Sequence, residues 1–181
     1  WGHITRVAPL ARALMARGHE LLLAAPDAAR QVAQMPGATP LERPAPGRPP
    51  APPLDPVVTA ADILANAGWH DDGELARVAD AWLALYDRVA PDLLLLDYAP
   101  TALLAARARP LRRVLVADGF TAPPDVTPWP DLRPEARPGQ PTPAAAVARE
   151  ADILARGNRW LVARGAAPLP RLGALAAEVD L

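Results

Sequence analysis

Cysteine is absent from this 181-residue chain. That excludes a disulfide frame and any cysteine-ligated metal. Lysine is absent too, and every basic residue is arginine. A phosphate-gripping P-loop lysine and a Schiff-base lysine are therefore excluded. No apolar run reaches the ~18 residues of a membrane span, so none is expected. Nineteen basic and twenty acidic residues are spread along the chain, for a net charge of −1. There is neither the basic patch that nucleic acid requires nor a charged tail for a membrane or polymer. With the excess of alanine and proline, the all-arginine usage reads as GC-rich bacterial coding, and a cytoplasmic location is expected. What is present is apolar: 51% of the residues are hydrophobic, enough for a sizeable core.

The front of the chain is its most informative stretch. Gly2-His3 runs into an amphipathic helix whose stripe is Val7, Leu10, Ala11 and Leu14. Pro9 is tolerable only near the first turn or at a kink. Gly18 suits a left-handed cap, with Arg17 and His19 at the negative end of the dipole. Leu21 to Pro26 then reads as a buried parallel strand. A strand normally precedes such a helix, and Trp1 stands where that strand would end. The chain is therefore expected to lack its first strand, which in a doubly wound sheet lies between Leu21–Ala25 and Leu93–Leu96.

Two proline-rich stretches, Pro40 to Pro56 and Pro123 to Pro143, hold eight prolines each. Neither can be a helix interior or a central strand. They read either as binding loops or as stiff connections. Between them the pattern alternates. A helix runs from Asp72, its N-cap, to about Arg88, with Leu75, Val78, Ala79, Trp82, Leu83 and Tyr86 on its stripe. A strand follows at Leu93–Asp97, a short helix at Thr101–Arg109 and a strand at Arg113–Asp118. A last helix spans about Pro143 to Arg164, with a C-terminal piece near Leu172–Val179. This order implies right-handed crossovers and a Rossmann-like, doubly wound parallel sheet in one α/β domain.

Ligands of open parallel sheets bind beyond the carboxyl ends of the strands. Three polar residues fall there: His3 after the missing strand, Asp97, and Asp118. A histidine beside a carboxylate makes a base and its orienting partner. A helix N-terminus disfavours charge on His3 and keeps it neutral, as a base requires. Each residue also has a plainer reading, as a turn or cap hydrogen-bonder. His19 reads as a turn residue. His70-Asp71-Asp72 reads better as a helix start than as a metal site. Trp69, Trp82, Phe120 and Trp129 read first as packing. Trp69, Phe120 and Trp129 flank the loops and are the candidates to line an apolar pocket.

Gly2-His3, Pro9-Leu10-Ala11, Leu14 and Arg17-Gly18-His19-Glu20 resemble the start of GT-B glycosyltransferases of family 1, the UDP-glucosyl and UDP-glucuronosyl transferase type. Pro91 to Pro124 resembles the later half of the acceptor-side domain in bacterial members. The resemblance covers most of the chain. It implies the N-terminal half of a GT-B fold, with the donor-binding domain outside this sequence. It implies an inverting transfer of sugar from a UDP- or TDP-sugar to a hydroxyl of a small acceptor, which the apolar aromatics and proline-rich loops suggest is a lipophilic or polycyclic alcohol. His3 would be the base, Asp97 its assistant, Asp118 the second choice, and Gly2 would lie beside substrate. No metal and no bound cofactor are implied, and such a fragment alone would not turn over. Two other readings stand beside it: a non-catalytic Rossmann-like binding module, and a GT-B nucleotide-sugar epimerase.

Overall fold

The front helix forms where its spacing placed it. The computed structural model describes residues 2–97, 99–117, 122–137 and 139–177, with backbone alone for 2–4. Helix α1 covers Gly2–Met15. Gly18 ends it at φ 88°. The Gly18 N–H donates to Met15 O at 2.9 Å and the His19 N–H to Leu14 O at 3.2 Å, the paired bonds of a left-handed cap. The buried stripe differs from the expected one. It runs through Ala8 and Ala11, with Met15 beside them, against Met35, Leu21, Leu23 and Ala38. Leu10 is 38% exposed. Alanines let α1 approach its neighbours closely, and one residue off that face is a rotation of ~100°. Pro9 lies in the helix interior, on its exposed side.

The chain divides into two compact units, residues 1–44 and 45–181. In the first, β1 (Leu22–Ala24) leads to α2 (Ala28–Gln31), a 3₁₀ turn (Val32–Gln34) and β2 (Thr39–Leu41). Strands β1 and β2 are parallel, with Leu22 opposite Thr39 and Ala24 opposite Leu41. Pro40 therefore lies in a strand, not in a loop. The Thr39 N–H bonds to Leu21 O at 2.8 Å. In a parallel ladder alternate residues face the same neighbour, so the donor that Pro40 lacks falls on the outer side.

The second unit begins within the first proline-rich stretch, at Ala45. It then forms α3 (Ala60–Leu64), a π-helical turn (Ala65–Trp69), α4 (Asp72–Val89), β3 (Leu93–Leu96), α5 (Pro100–Ala106), β4 (Arg112–Leu115), α6 (Ala144–Val162) and α7 (Ala174–Ala177). The cap of α4 is Asp71, one residue ahead of the expected Asp72. Its Oδ1 accepts the Glu74 N–H at 2.8 Å. Strands β3 and β4 run parallel, Leu93 opposite Arg112 and Leu96 opposite Leu115, with α5 as the crossover. Arg112–Leu115 begins and ends earlier than the expected Arg113–Asp118.

The expected single sheet is instead two separate two-stranded parallel sheets among the described residues. The fold is mixed α/β, and in the second unit helix packs mainly on helix. Its core gathers Leu64, Trp69, Leu75, Ala79, Leu83, Tyr86, Leu104, Ile153, Leu161 and Leu172. Strand β3 lies at the margin of this core: only Leu96 is buried, and Leu93 is 40% exposed. A run of four leucines looks like a central strand, but the helices take the interior. No helix among the described residues is long and apolar enough to cross a membrane.

Candidate functional site

The carboxyl end of β3 leads straight into the candidate site. Asp97 is half-buried immediately after β3. Two residues on, Ala99 precedes α5 and Pro100 occupies its first turn, where proline needs no N–H. Ala99, Pro100 and Leu103 form one wall of an apolar cleft. Ala60 and Leu64 of α3 form another, and Pro123, Trp129, Leu172, Leu175 and Ala176 complete it. Its free room is about 30 Å³, on the order of two waters. It can seat the apolar edge of a ligand but not a whole polycyclic molecule.

Trp129 is one of the predicted binding residues, and it lines this cleft. Its indole N–H donates to Pro124 O at 2.9 Å. Trp69 is fully buried in the core and does not line the cleft. Its indole N–H donates to Thr101 Oγ1 at 2.9 Å, which satisfies its polar edge internally. Gly2 and His3 lie in the first turn of α1, in the first unit. Asp97, Trp69 and Trp129 belong to the second unit. Asp118 and Phe120 lie outside the described residues.

The loop that carries Trp129 is held by a buried carboxylate. Glu150 of α6 is 4% exposed. Its Oε2 accepts the Trp129 N–H at 2.7 Å and its Oε1 accepts the Thr127 hydroxyl at 2.9 Å. The Thr142 hydroxyl also donates to Trp129 O at 2.9 Å. Two further buried acids hold the other proline-rich stretch and the residues just after it. Asp62 accepts the Val58 and Thr59 N–H groups at 2.7 and 3.1 Å and pairs with Arg149 of α6. Glu74 accepts the Arg48 N–H at 2.7 Å and the guanidiniums of Arg48 and Arg77. The Arg77 and Arg48 hydrogen bonds hold its carboxyl well below the usual carboxylate range. There Gly47 and Gly68 meet backbone to backbone. A Cβ on Gly47 would fall 1.8 Å from Ala67 O, so no side chain fits.

The remaining polar candidates have separate partners. His70 Nδ1 lies 3.1 Å from Ala65 O. A carbonyl only accepts, so this nitrogen carries the proton. Asp71 caps α4, while Asp72 pairs with Arg156 and Arg159. Tyr86 donates its hydroxyl to Ala102 O at 3.0 Å, and burial pushes the phenol up.

The three buried acids are the residues that the sequence reading missed. A signal for one of them was present. Glu150 falls on the stripe Ala146, Ile153, Gly157 and Trp160 at helical spacing, and an acid on an apolar face calls for internal partners. Comparison of the chain with protein-family models, with curated proteins and with solved structures matches none of them.

Proposed function

We propose that this chain is the acceptor-side domain of an inverting GT-B glycosyltransferase, and that the donor nucleotide sugar is held by a domain outside it. The observation that carries the reading is the apolar cleft where β3 passes into α5, with Asp97 just ahead of it. That is where a parallel βαβ unit presents its ligand site. In this reading β3–α5–β4 is one unit of a Rossmann-like sheet, and the motifs around Gly2-His3 and Pro91–Pro124 supply the family resemblance. The small volume of the cleft suits one apolar edge of a lipophilic alcohol, whose hydroxyl stays outside it.

His3 then takes the acceptor proton as the oxygen bonds to the anomeric carbon. The bond from that carbon to the nucleoside diphosphate breaks, and the diphosphate leaves with its electron pair. The resemblance, rather than any contact, gives Asp97 the part of a positioning residue for the base. The test uses the enzyme expressed from its natural reading frame, with UDP-glucose and a polycyclic alcohol. His3→Ala is expected to lower turnover by ~10²–10⁴, and Asp97→Asn by less. Near-normal turnover of the His3 variant removes His3 from the role of base. Calorimetry of the present chain is expected to register weak binding of the alcohol and little binding of UDP-glucose. Micromolar affinity for UDP-glucose would instead identify a self-contained nucleotide-binding module.

A further inference from the structure

We infer that the C-terminal segment 170–177 is a strap that closes the apolar cleft, so that an apolar ligand enters only when the strap lifts. The identity of that ligand as an acceptor alcohol rests on the proposed function; the gating does not. Beyond α6 the chain is pinned at Leu169. Asn158 Oδ1 accepts the Leu169 N–H at 2.7 Å, and Asn158 Nδ2 donates to Leu169 O at 2.9 Å. Past this pin the segment crosses the second proline-rich stretch. Arg171 Nε donates to Asp125 Oδ1 at 2.6 Å, and the second guanidinium nitrogen reaches Oδ2. Gly173 presses on the same spot: a Cβ there would fall 2.6 Å from Asp125 Cα. Leu172, Leu175 and Ala176 then form one side of the cleft.

Two features make this side the movable one. The described main-chain bonds donated by residues 174–177 all end inside the strap, on Arg171, Leu172 and Gly173. Lifting the strap therefore breaks no described main-chain ladder with the rest of the unit; what holds it down is the burial of Leu172 and Leu175, 1% and 4% exposed when closed, which keeps the lifted state a minor one. Its polar latch, Arg171 with Asp125, is 41% and 30% exposed, so water can take over both partners. The other lining residues belong to the bodies of α3 and α5 and to the clamped stretch of Pro123 and Trp129. With room for on the order of two waters, the closed cleft admits no drug-sized ligand. Such a ligand selects the lifted state, and its apparent dissociation constant scales inversely with the population of that state.

The experiment pairs amide hydrogen exchange of Leu175 and Ala176 with fluorescence titration of the neutral apolar probe N-phenyl-1-naphthylamine. Both are run on the wild type, Arg171→Gln and Asp125→Asn. Each variant is expected to speed exchange of the strap amides by about two- to fivefold, the range for a partly exposed ion pair. The probe dissociation constant should fall by the same factor, with α4 exchange unchanged. Faster strap exchange with unchanged probe affinity overturns the inference. So does unchanged strap exchange in both variants, or failure of all three proteins to bind the probe. If the probe binds with the expected coupling but no alcohol binds, the strap stands and the acceptor reading falls.

Discussion

Replacing Glu150 with alanine tests the clamp that sets the Trp129 wall. The Trp129 N–H donates to Glu150 Oε2 at 2.7 Å, and Trp129 itself is 3% exposed. Removing the acceptor leaves that donor buried and unpaired, at a cost of about 1–3 kcal/mol. The lost methylene adds ~0.8 kcal/mol of burial. The Thr127 hydroxyl also loses its acceptor, but a partly buried hydroxyl can turn to water. Alanine's better helix propensity returns a few tenths of a kcal/mol at about this site. The sum is a loss of roughly 2–3 kcal/mol for Glu150→Ala. Glu150→Gln keeps an amide oxygen for the Trp129 N–H and should lose only about 1 kcal/mol, and Thr127→Ala about the same or less. Urea unfolding followed by tryptophan fluorescence reads the order directly, as shifts of midpoint at constant slope. Four of the five tryptophans, Trp69, Trp82, Trp129 and Trp160, lie in the second unit, so the signal reports mainly on the unit that is perturbed. A Glu150→Ala protein within ~0.5 kcal/mol of wild type would refute the clamp.

Two further predictions follow from the core and from the other proline-rich stretch. Gly157→Ala places a methyl 3.2 Å from Trp69 Cζ3, against a ring that cannot retreat. Overpacking of ~1–3 kcal/mol outweighs the ~1 kcal/mol helix gain, so thermal unfolding should show net loss in the wild type and a smaller loss in a Trp69→Phe background; full helix-propensity gain in the single variant refutes the packing. The carboxyl of Glu74 is held low by Arg77 and Arg48, so its contribution is complete above the ordinary carboxylate pKa of about 4.3 and fades as pH falls toward the depressed folded value. Glu74→Gln should therefore be less stable than wild type at neutral pH and show a shallower loss in acid; parallel pH profiles would refute this.

Long, periodic segments were legible and short ones were not. Helix α4 announced itself through Leu75, Val78, Ala79, Leu83 and Tyr86, all buried as their spacing requires, with Trp82 of the same expected stripe half-buried. Helix α6 and the alternation β3–α5–β4 were readable for the same reason. Elements of three to five residues, such as β2, α2 and α3, are too short to show a period. In β2 the proline at position 40 also reads as a breaker, because sequence does not say which side of a strand lacks its neighbour. The expected single sheet had a different cause. Leu93–Leu96 is apolar enough for a central strand, but a run of leucines does not say what will cover it. Of the site, Trp129 was legible as a loop-flanking aromatic, whereas Trp69 was not separable from it until its indole was seen against Thr101. The acids at 62 and 74 carry no such periodic signal. Their partners, Arg149 and Arg48, lie far along the chain, and no local pattern pairs them.

Proline accounts for how a cleft can be built on loops at all. Each proline removes a main-chain donor and restricts the unfolded chain. The two stretches therefore order at lower entropic cost than other loops of their length, and fewer N–H groups need partners. Those at Arg48, Leu54, Val58, Thr59 and Trp129 each reach a side-chain oxygen on Glu74, Asn66, Asp62 or Glu150. Because these acceptors stand on α3, on the turn after it, on α4 and on α6, the loops inherit the rigidity of the helices. A wall fixed in this way cannot yield to a ligand without orphaning a buried donor. The strap donates no described main-chain bond to those helices beyond Leu169. Any enlargement of the cleft therefore falls on the strap, and the fit of a ligand is decided by Leu172, Leu175 and Ala176 rather than by Trp129.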